Sequence, residues 1–132
     1  MSSDFAPLPA TVERVGRGVV DAGMTIHKTL GPGLLESAYE ACLEYELRKR
    51  GHAVHRQMPL PVIYEDVKVD AGYRVDLMVD GCVVVEVKSV EALAPIHDAQ
   101  LLTYLRLSER RLGYLLNFNV PLFRQGIRRM VL

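Results

Sequence analysis

The sequence lacks several features that would assign it to a special class of protein. No apolar run approaches the roughly 20 residues that a membrane-spanning helix needs, so no membrane segment is predicted. The N-terminal residues have neither the basic nor the apolar stretch of a secretory signal peptide. Internal repeats and low-complexity segments are also missing. These absences predict an ordinary globular protein of the cytoplasm.

Cysteine is scarce, and neither sign of charge is in excess. The two cysteines, Cys42 and Cys82, are not spaced as a metal-binding pair, and free thiols are favoured over one disulfide. Sixteen basic residues balance sixteen acidic ones, so net charge identifies no partner. Six arginines but one acidic residue fall in residues 101–132. That segment is compatible with binding a polyanion, although a solvated face is the favoured interpretation from charge alone.

The composition that is present describes one globular domain. Of the 132 residues, 49% are hydrophobic and 24% are charged, which is close to average and argues against disorder. At roughly 150 residues per domain, the chain has room for one. Residues 1–10 contain Pro7 and Pro9 and show no periodicity, so they are predicted to form a flexible tail before a domain spanning residues 11–132.

Hydrophobic periodicity predicts the element order α, α, β, β, β, α, β, β. The first helix follows Thr11, a candidate N-cap, and ends at the turn Gly31-Pro32-Gly33. The second is expected from about Leu34 to Arg50, and the third from Pro95 to about Arg110. The predicted strands cover residues 53–63, which two prolines interrupt, and residues 73–79, 82–87, 112–118 and 126–131.

Charged residues near the end of an apolar strand are the most informative feature. Residues 82–87 are typical of a buried strand, yet Glu86 lies within it and Lys88 follows on the same face. Asp76 lies on the partner strand of the same hairpin. Burying these charges costs free energy unless they have partners, and a divalent cation between the carboxylates would be one. A Glu86–Lys88 salt bridge at a strand end is the alternative for this tripeptide taken alone.

The metal hypothesis requires a particular hairpin register. A two-residue Asp80-Gly81 turn would place Asp76 and Glu86 on opposite faces of the sheet, because cross-strand partners share a face. A three-residue loop at residues 79–81, with Gly81 left-handed, places both on one face and Glu86 opposite Arg74. We therefore expect an odd-length loop or an equivalent bulge.

Two helices carry further polar residues. Glu36 is in the first turn of the second helix, where the helix dipole alone would favour an acid, and Tyr39 points the same way three residues later. Gln100 and Tyr104 are four apart on the third helix and share a face. An ordinary amphipathic helix would explain this second pair equally well.

Taken together, these motifs and their order resemble the PD-(D/E)xK nuclease superfamily. Within it the chain looks like the GxxExxY family, whose motif is present as Gly33, Glu36 and Tyr39. The resemblance covers about residues 12–130. It implies an α/β, restriction-endonuclease-like fold, with a mixed central sheet flanked by helices. It also implies a phosphodiesterase that uses Mg²⁺, with Mn²⁺ as a substitute, and acts on nucleic acid, DNA being favoured.

The resemblance also implies roles for individual residues. Asp76 and Glu86 would be metal ligands and catalytic residues, with the backbone carbonyl of Val87 as a third ligand. Lys88 would be the catalytic lysine. Glu36 would match the helix acid that binds the metal directly or through water. One departure is Val75, which stands where the superfamily's name has proline.

A substrate contact is implied for Tyr39. Gln100 and Tyr104 would match a Q-x-x-x-Y element that positions the substrate or the active-site strand. Arginines of the C-terminal third and of residues 48–56 would hold the nucleic-acid backbone. For residues 48–56, cations that satisfy a helix end are the favoured interpretation. The alternative function is a nuclease-like module that binds nucleic acid or protein without turnover. A subunit that needs a partner protein, and a homodimer, also stay open.

Overall fold

Three α-helices and seven strands make up the computed structural model, which describes residues 6–132. In chain order they are α1 (Ala10–Leu30), α2 (Glu36–Lys49), β1 (Val54–Pro59), β2 (Val62–Tyr64), β3 (Val67–Val69), β4 (Arg74–Val79), β5 (Val83–Lys88), α3 (Pro95–Ser108), β6 (Leu112–Asn117) and β7 (Ile127–Val131). A short 3-10 helix, Phe123–Gly126, precedes β7.

Five of the strands form one mixed sheet in the order β1-β4-β5-β6-β7. β5 and β6 run parallel, since α3 crosses over between them, and the other neighbours are antiparallel. β5 therefore lies in the middle of the sheet with a partner on each side. This position explains its nearly continuous apolar sequence, because both of its faces are covered.

Helices cover the two faces of the sheet and divide the core into two clusters. The larger cluster lies under α1 and α2 and includes Leu43, Leu77 and Val85, all fully buried. The smaller one lies under α3 and includes Val84 and Leu101. The site described below lies between these two layers.

Residues 53–69 differ from the sequence prediction. The single interrupted strand expected over residues 53–63 is two strands, β1 and β2, and β3 follows, so the part of the chain that the structure describes has seven strands and not five. Pro59 and Pro61, at the end of β1, have no backbone N–H to donate to a neighbouring strand, so the chain leaves the central sheet there. β2 and β3 pair only with each other, as a separate hairpin.

The N-terminal boundary also differs. α1 begins at Ala10 with Pro9 in the N-cap position, so the assignment of Thr11 as N-cap is wrong. Of the predicted tail, residues 1–5 lie outside the described residues. Ala6 and Pro7 are held at their carbonyls by the Arg111 guanidinium, at 2.6 and 3.3 Å.

Two expectations about the chain's environment can be compared with the structure. Cys42 and Cys82 are both free, and both are half-buried. Within residues 6–132, no helix is long and apolar enough to cross a membrane.

Candidate active site

The central sheet opens where β4 separates from β5. The antiparallel ladder between them has three pairs, and its last pair joins Leu77 to Val85. Beyond this point β4 continues along β1 to Arg74, while β5 continues along β6 to Lys88. We call this opening, which has Asp76 on one side and Glu86 on the other, the fork.

Side chains replace the backbone ladder at the fork. The main-chain N–H of Asp76 donates to Glu86 Oε2 at 2.8 Å, and the N–H of Val87 donates to Asp76 Oδ2 at 2.8 Å. Both N–H groups lie where the ladder no longer supplies carbonyl partners, so each carboxylate satisfies the strand opposite. This crossed pair fixes the two carboxylates close together.

The hairpin that sets this geometry has an odd-length loop, as the metal hypothesis requires. Three residues, 80–82, separate the last paired residues of β4 and β5, and Asp80 and Gly81 are both left-handed, at φ 50° and 64°. The predicted loop was residues 79–81, so the predicted register is wrong by two residues along β5. The observed register places Glu86 opposite Asp76. A shift of two keeps the face, which is why the carboxylates still meet.

Contacts of Asp80 explain where the turn lies. Its carboxylate accepts the N–H of Ala53 at 2.8 Å and contacts His52 Nδ1 at 2.6 Å. Its own N–H donates to the carbonyl of Ala53 at 2.7 Å. These contacts to the segment before β1 keep Asp80 inside the loop, and the strand pairing resumes only at Val83.

A further carboxylate, Glu40 of α2, reaches the fork, although sequence analysis did not single it out. Glu40 is 7% exposed. Its Oε2 accepts from Arg56 Nε at 2.6 Å, and its Oε1 accepts from Gln57 Nε2 at 2.8 Å. The same Gln57 amide donates to Asp76 Oδ1 at 3.3 Å, so Gln57 connects the helix acid to the fork. The available signal was spacing, since Glu40 lies one helical turn after Glu36.

Gln57 has an unusual backbone for a residue in the middle of a strand. Its φ is 56°, in the left-handed region, which costs a non-glycine residue on the order of 1 kcal/mol. Val54 packs under α1 and α2, whereas Met58 packs under α3, although both are even-numbered residues of β1. The distortion at Gln57 therefore reverses the alternation of the strand and turns its amide towards the carboxylates. Such strain beside buried charges is typical of a functional site.

Burial makes the ionised carboxylates unfavourable without a cation. It raises the pKa of Glu86 to about 8, and the charge of Asp76 adds to the increase. Burial also raises the pKa of Asp76 to about 6; the N–H of Val87 opposes this change, and Glu40 reinforces it. Lys88 lowers both values. A positive charge bound between these oxygens would remove much of this cost.

The remaining oxygens at the fork fit a divalent cation. Among residues 6–132, no group of three or more His, Cys, Asp or Glu side chains could hold a metal ion by itself. Mg²⁺, however, commonly takes one or two carboxylates and completes its shell with water and phosphate. Asp76 Oδ1 and Glu86 Oε1 are not used by the crossed backbone bonds. No buried side-chain oxygen in the described part lacks a hydrogen-bond partner.

Glu36 lies apart from this pair. It is exposed at the start of α2, and its Oε2 accepts the N–H of Ser89 at 3.4 Å, one residue beyond β5. The expected set of Glu36, Asp76 and Glu86 is therefore not assembled around one point. Glu40, on the next turn of the helix, takes the position beside Asp76.

Tyr39 has a supporting position that does not fit the expected substrate contact. Its side chain is completely buried and stacks on Phe118, with ring centroids 4.5 Å apart. Its hydroxyl donates to the carbonyl of Gly31 and accepts the N–H of Leu34 at 3.2 Å. Tyr39 thus holds the loop between α1 and α2, and no surface is left through which it could contact a substrate.

Replacing Tyr39 with phenylalanine is expected to lower the free energy of unfolding by about 1–3 kcal/mol, because two partly buried hydrogen bonds, to the Gly31 carbonyl and from the Leu34 N–H, are lost. The ring and its stacking remain, so the fold should be retained. Chemical denaturation measures the loss. A variant that is as stable as the wild type but has a raised KM would instead favour the substrate role.

Lys88, Gln100 and Tyr104 line one cleft of about 580 Å³ on the α3 side of the fork. Gln100 Nε2 donates to Tyr104 Oη at 3.0 Å, which fixes the amide against the ring. No salt bridge in residues 6–132 involves Lys88, so the alternative of a Glu86–Lys88 salt bridge is not what the structure contains. The cleft thus brings together three of the residues that the sequence singled out.

The basic segments contact the protein itself. Arg48 and Arg56 pair with acids of α2, as does Arg50. In the C-terminal third, Arg128 pairs with Asp98 and Arg129 with Glu13. These five arginines are therefore paired within the fold. Arg106, Arg110, Arg111 and Arg124 form no salt bridge within residues 6–132, and contact of the arginines with a nucleic-acid backbone stays a prediction. Within residues 48–56, Arg48 and Lys49 lie in the last turn of α2, where the interpretation as helix-end cations places basic residues.

The stability of the metal-free protein should fall as the pH rises. The folded-state pKa values of Glu86 and Asp76 lie above their unfolded values of 4.5 and 3.8, so the folded protein holds protons that the unfolded chain releases. The stabilisation is present at low pH and is lost as the pH rises through about 6 and then about 8. We expect the melting temperature in a chelator to drop by several degrees from pH 5 to pH 9.

Glu86→Gln is the matched variant for this titration, because it keeps the size and the acceptor of the side chain but cannot ionise. Its melting temperature should depend less on pH than that of the wild type. Identical slopes for the two proteins would contradict the assignment of the pH dependence to Glu86.

The fold and the fork define an α/β protein with paired carboxylates and a lysine at the point where its mixed sheet opens. The family model of the PD-(D/E)XK nuclease superfamily matches residues 13–130, and the chain belongs to that superfamily. The restriction-endonuclease-like fold expected from the sequence is thereby confirmed. No curated protein and no solved structure shows significant similarity to the chain.

Proposed function

We propose that the protein is a divalent-metal-dependent nuclease that hydrolyses phosphodiester bonds, most readily in DNA. The proposal also places it in the cytoplasm and in the GxxExxY family. One observation carries this proposal. Hydrogen bonds from the main-chain N–H groups of Asp76 and Val87 hold the Glu86 and Asp76 carboxylates close together at the fork, and Lys88 lines the adjoining cleft. Membership of the nuclease superfamily supports the proposal. It does not carry the proposal by itself, because a fold does not determine an activity.

Each residue of the fork would have its own role in such a reaction. Asp76 Oδ1 and Glu86 Oε1, with the carbonyl of Val87, would hold Mg²⁺ or Mn²⁺, and a bound cation lowers the pKa of water and stabilises charge on the phosphate. Lys88 orients the attacking water or balances the charge that develops on the phosphate. Gln57 positions Asp76 by joining it to Glu40.

The test is a cleavage assay on single-stranded, duplex and branched DNA and RNA, with Mn²⁺, with Mg²⁺ and with a chelator. We expect cleavage that requires the metal. A protein that binds Mn²⁺ and is folded but leaves every substrate intact would instead indicate a silent binding module or a subunit that needs its partner.

A further inference from the structure

The cleft beside Lys88 has an apolar and aromatic wall that the proposed chemistry does not use. Ile96 at the start of α3 is 70% exposed, and Tyr73, just before β4, is 47% exposed. The rings of Tyr73 and Tyr104 have centroids 6.5 Å apart at an angle of 60°. Val62 and Leu107 extend the apolar surface. An exposed aromatic ring at the mouth of an apolar cleft offers a face on which another flat group can stack.

The charges around this wall do not match a phosphate backbone. Lys88 and His97 are the basic residues that line the cleft, and His97 Nδ1 accepts the N–H of Ala94 at 2.9 Å to cap α3. Elsewhere, five of the nine arginines in residues 48–56 and 101–132 pair with acids of the protein itself. Duplex DNA exposes mainly phosphates and is held chiefly by basic residues. An unpaired strand exposes the faces of its bases, and aromatic side chains bind them.

We propose that the cleft between Tyr73 and α3 binds unpaired bases of a single-stranded nucleic acid, with one base stacked on Tyr73 and the adjoining phosphate directed towards Lys88 and the fork. This inference rests on the proposed nuclease function, for which it names the substrate class. Gln100 and Tyr104 form the floor of the cleft, which gives the pair the substrate role that the resemblance implied. Because stacking does not depend on base identity, the cleft should prefer single strands to duplexes without preferring a base sequence.

Binding is measured by fluorescence anisotropy with labelled oligonucleotides in EDTA, where a metal-dependent enzyme cannot cleave. We expect tighter binding to a single strand than to its duplex, and weaker binding to a strand without bases. Tyr73→Ala should weaken single-strand binding roughly 5- to 150-fold, and Tyr73→Phe should keep it. DNA and RNA oligonucleotides of the same sequence are compared, to identify whether the cleft prefers deoxyribose or ribose.

Tyr45→Ala is the matched control, because Tyr45 is 68% exposed on α2, which packs on the opposite face of the sheet. It should bind single strands as the wild type does. Duplex binding as tight as single-strand binding, or Tyr73→Ala binding equal to that of Tyr45→Ala, would overturn the inference.

The two proposals fail in different ways. If Mn²⁺-dependent cleavage occurs but binding ignores Tyr73, the nuclease function stands and the base-stacking cleft is refuted. If Tyr73-dependent binding of single strands occurs but nothing is cleaved, the cleft stands and nuclease activity of this chain by itself is refuted.

Discussion

Replacing Lys88 with alanine is expected to lower the rate of metal-dependent hydrolysis by about 10²–10³-fold while the fold is retained. Lys88 is half-buried at the end of β5 and takes part in no salt bridge of the described residues, so its loss leaves no carboxylate without a hydrogen-bonded partner. Its ammonium nevertheless acts on both carboxylates of the fork, since it lowers the pKa of each. The loss of rate should therefore far exceed any loss of stability.

The matched control is Lys68→Ala, which removes the same charge from the exposed hairpin strand β3. Its rate and melting temperature should equal those of the wild type. Single-turnover rates measure the effect, with circular dichroism as the check on folding. If Lys88→Ala cleaves as fast as Lys68→Ala, Lys88 is not a catalytic residue.

Replacing Asp76 with asparagine or alanine is expected to abolish measurable Mn²⁺ binding. The fork offers two carboxylates to a cation, and loss of one leaves too few charged oxygens to replace its water shell. Asparagine keeps an oxygen that can accept the N–H of Val87, so its fold should survive. Alanine leaves that N–H unpaired, which we expect to cost about 1–3 kcal/mol.

Isothermal titration calorimetry with Mn²⁺ compares these proteins. Glu36→Gln is included because Glu36 contacts Ser89 and lies apart from the carboxylate pair. It should bind Mn²⁺ as the wild type does if Asp76 and Glu86 supply the charged ligands. Undiminished binding by Asp76→Asn would refute the metal site, and lost binding by Glu36→Gln would show that Glu36 is a ligand, as the resemblance implies.

Much of the site follows from local patterns. Asp76, Glu86 and Lys88 stand out because they interrupt strands that are otherwise apolar, and a buried charge needs a partner. The demand for an odd-length hairpin loop follows from the alternation of side chains alone, and the structure confirms it. The exact register does not follow, since it depends on the contacts of Asp80 with His52 and Ala53, which lie 27 or more residues away in the chain.

Local patterns do not predict that Glu40 and Gln57 belong to the site. In the sequence Glu40 is one more acid on an amphipathic helix, and Gln57 is a polar residue in a short strand. They become part of the site because α2 packs over β1 and because Gln57 adopts a left-handed backbone that turns its amide to Asp76. Spacing on the helix could mark Glu40 as a candidate, but both events arise from packing between separate elements.

Periodicity of apolar residues was therefore enough for the helices, the central strands and the two carboxylates of the hairpin, because those features depend on near neighbours in the chain. The opening of the sheet at Asp76, the approach of Glu40 to Asp76 and the pairing of Arg56, Arg128 and Arg129 depend on residues far apart in sequence. Their energies come from burial and from hydrogen bonds that exist only once the layers have packed, and for that reason the fork is a property of the folded protein.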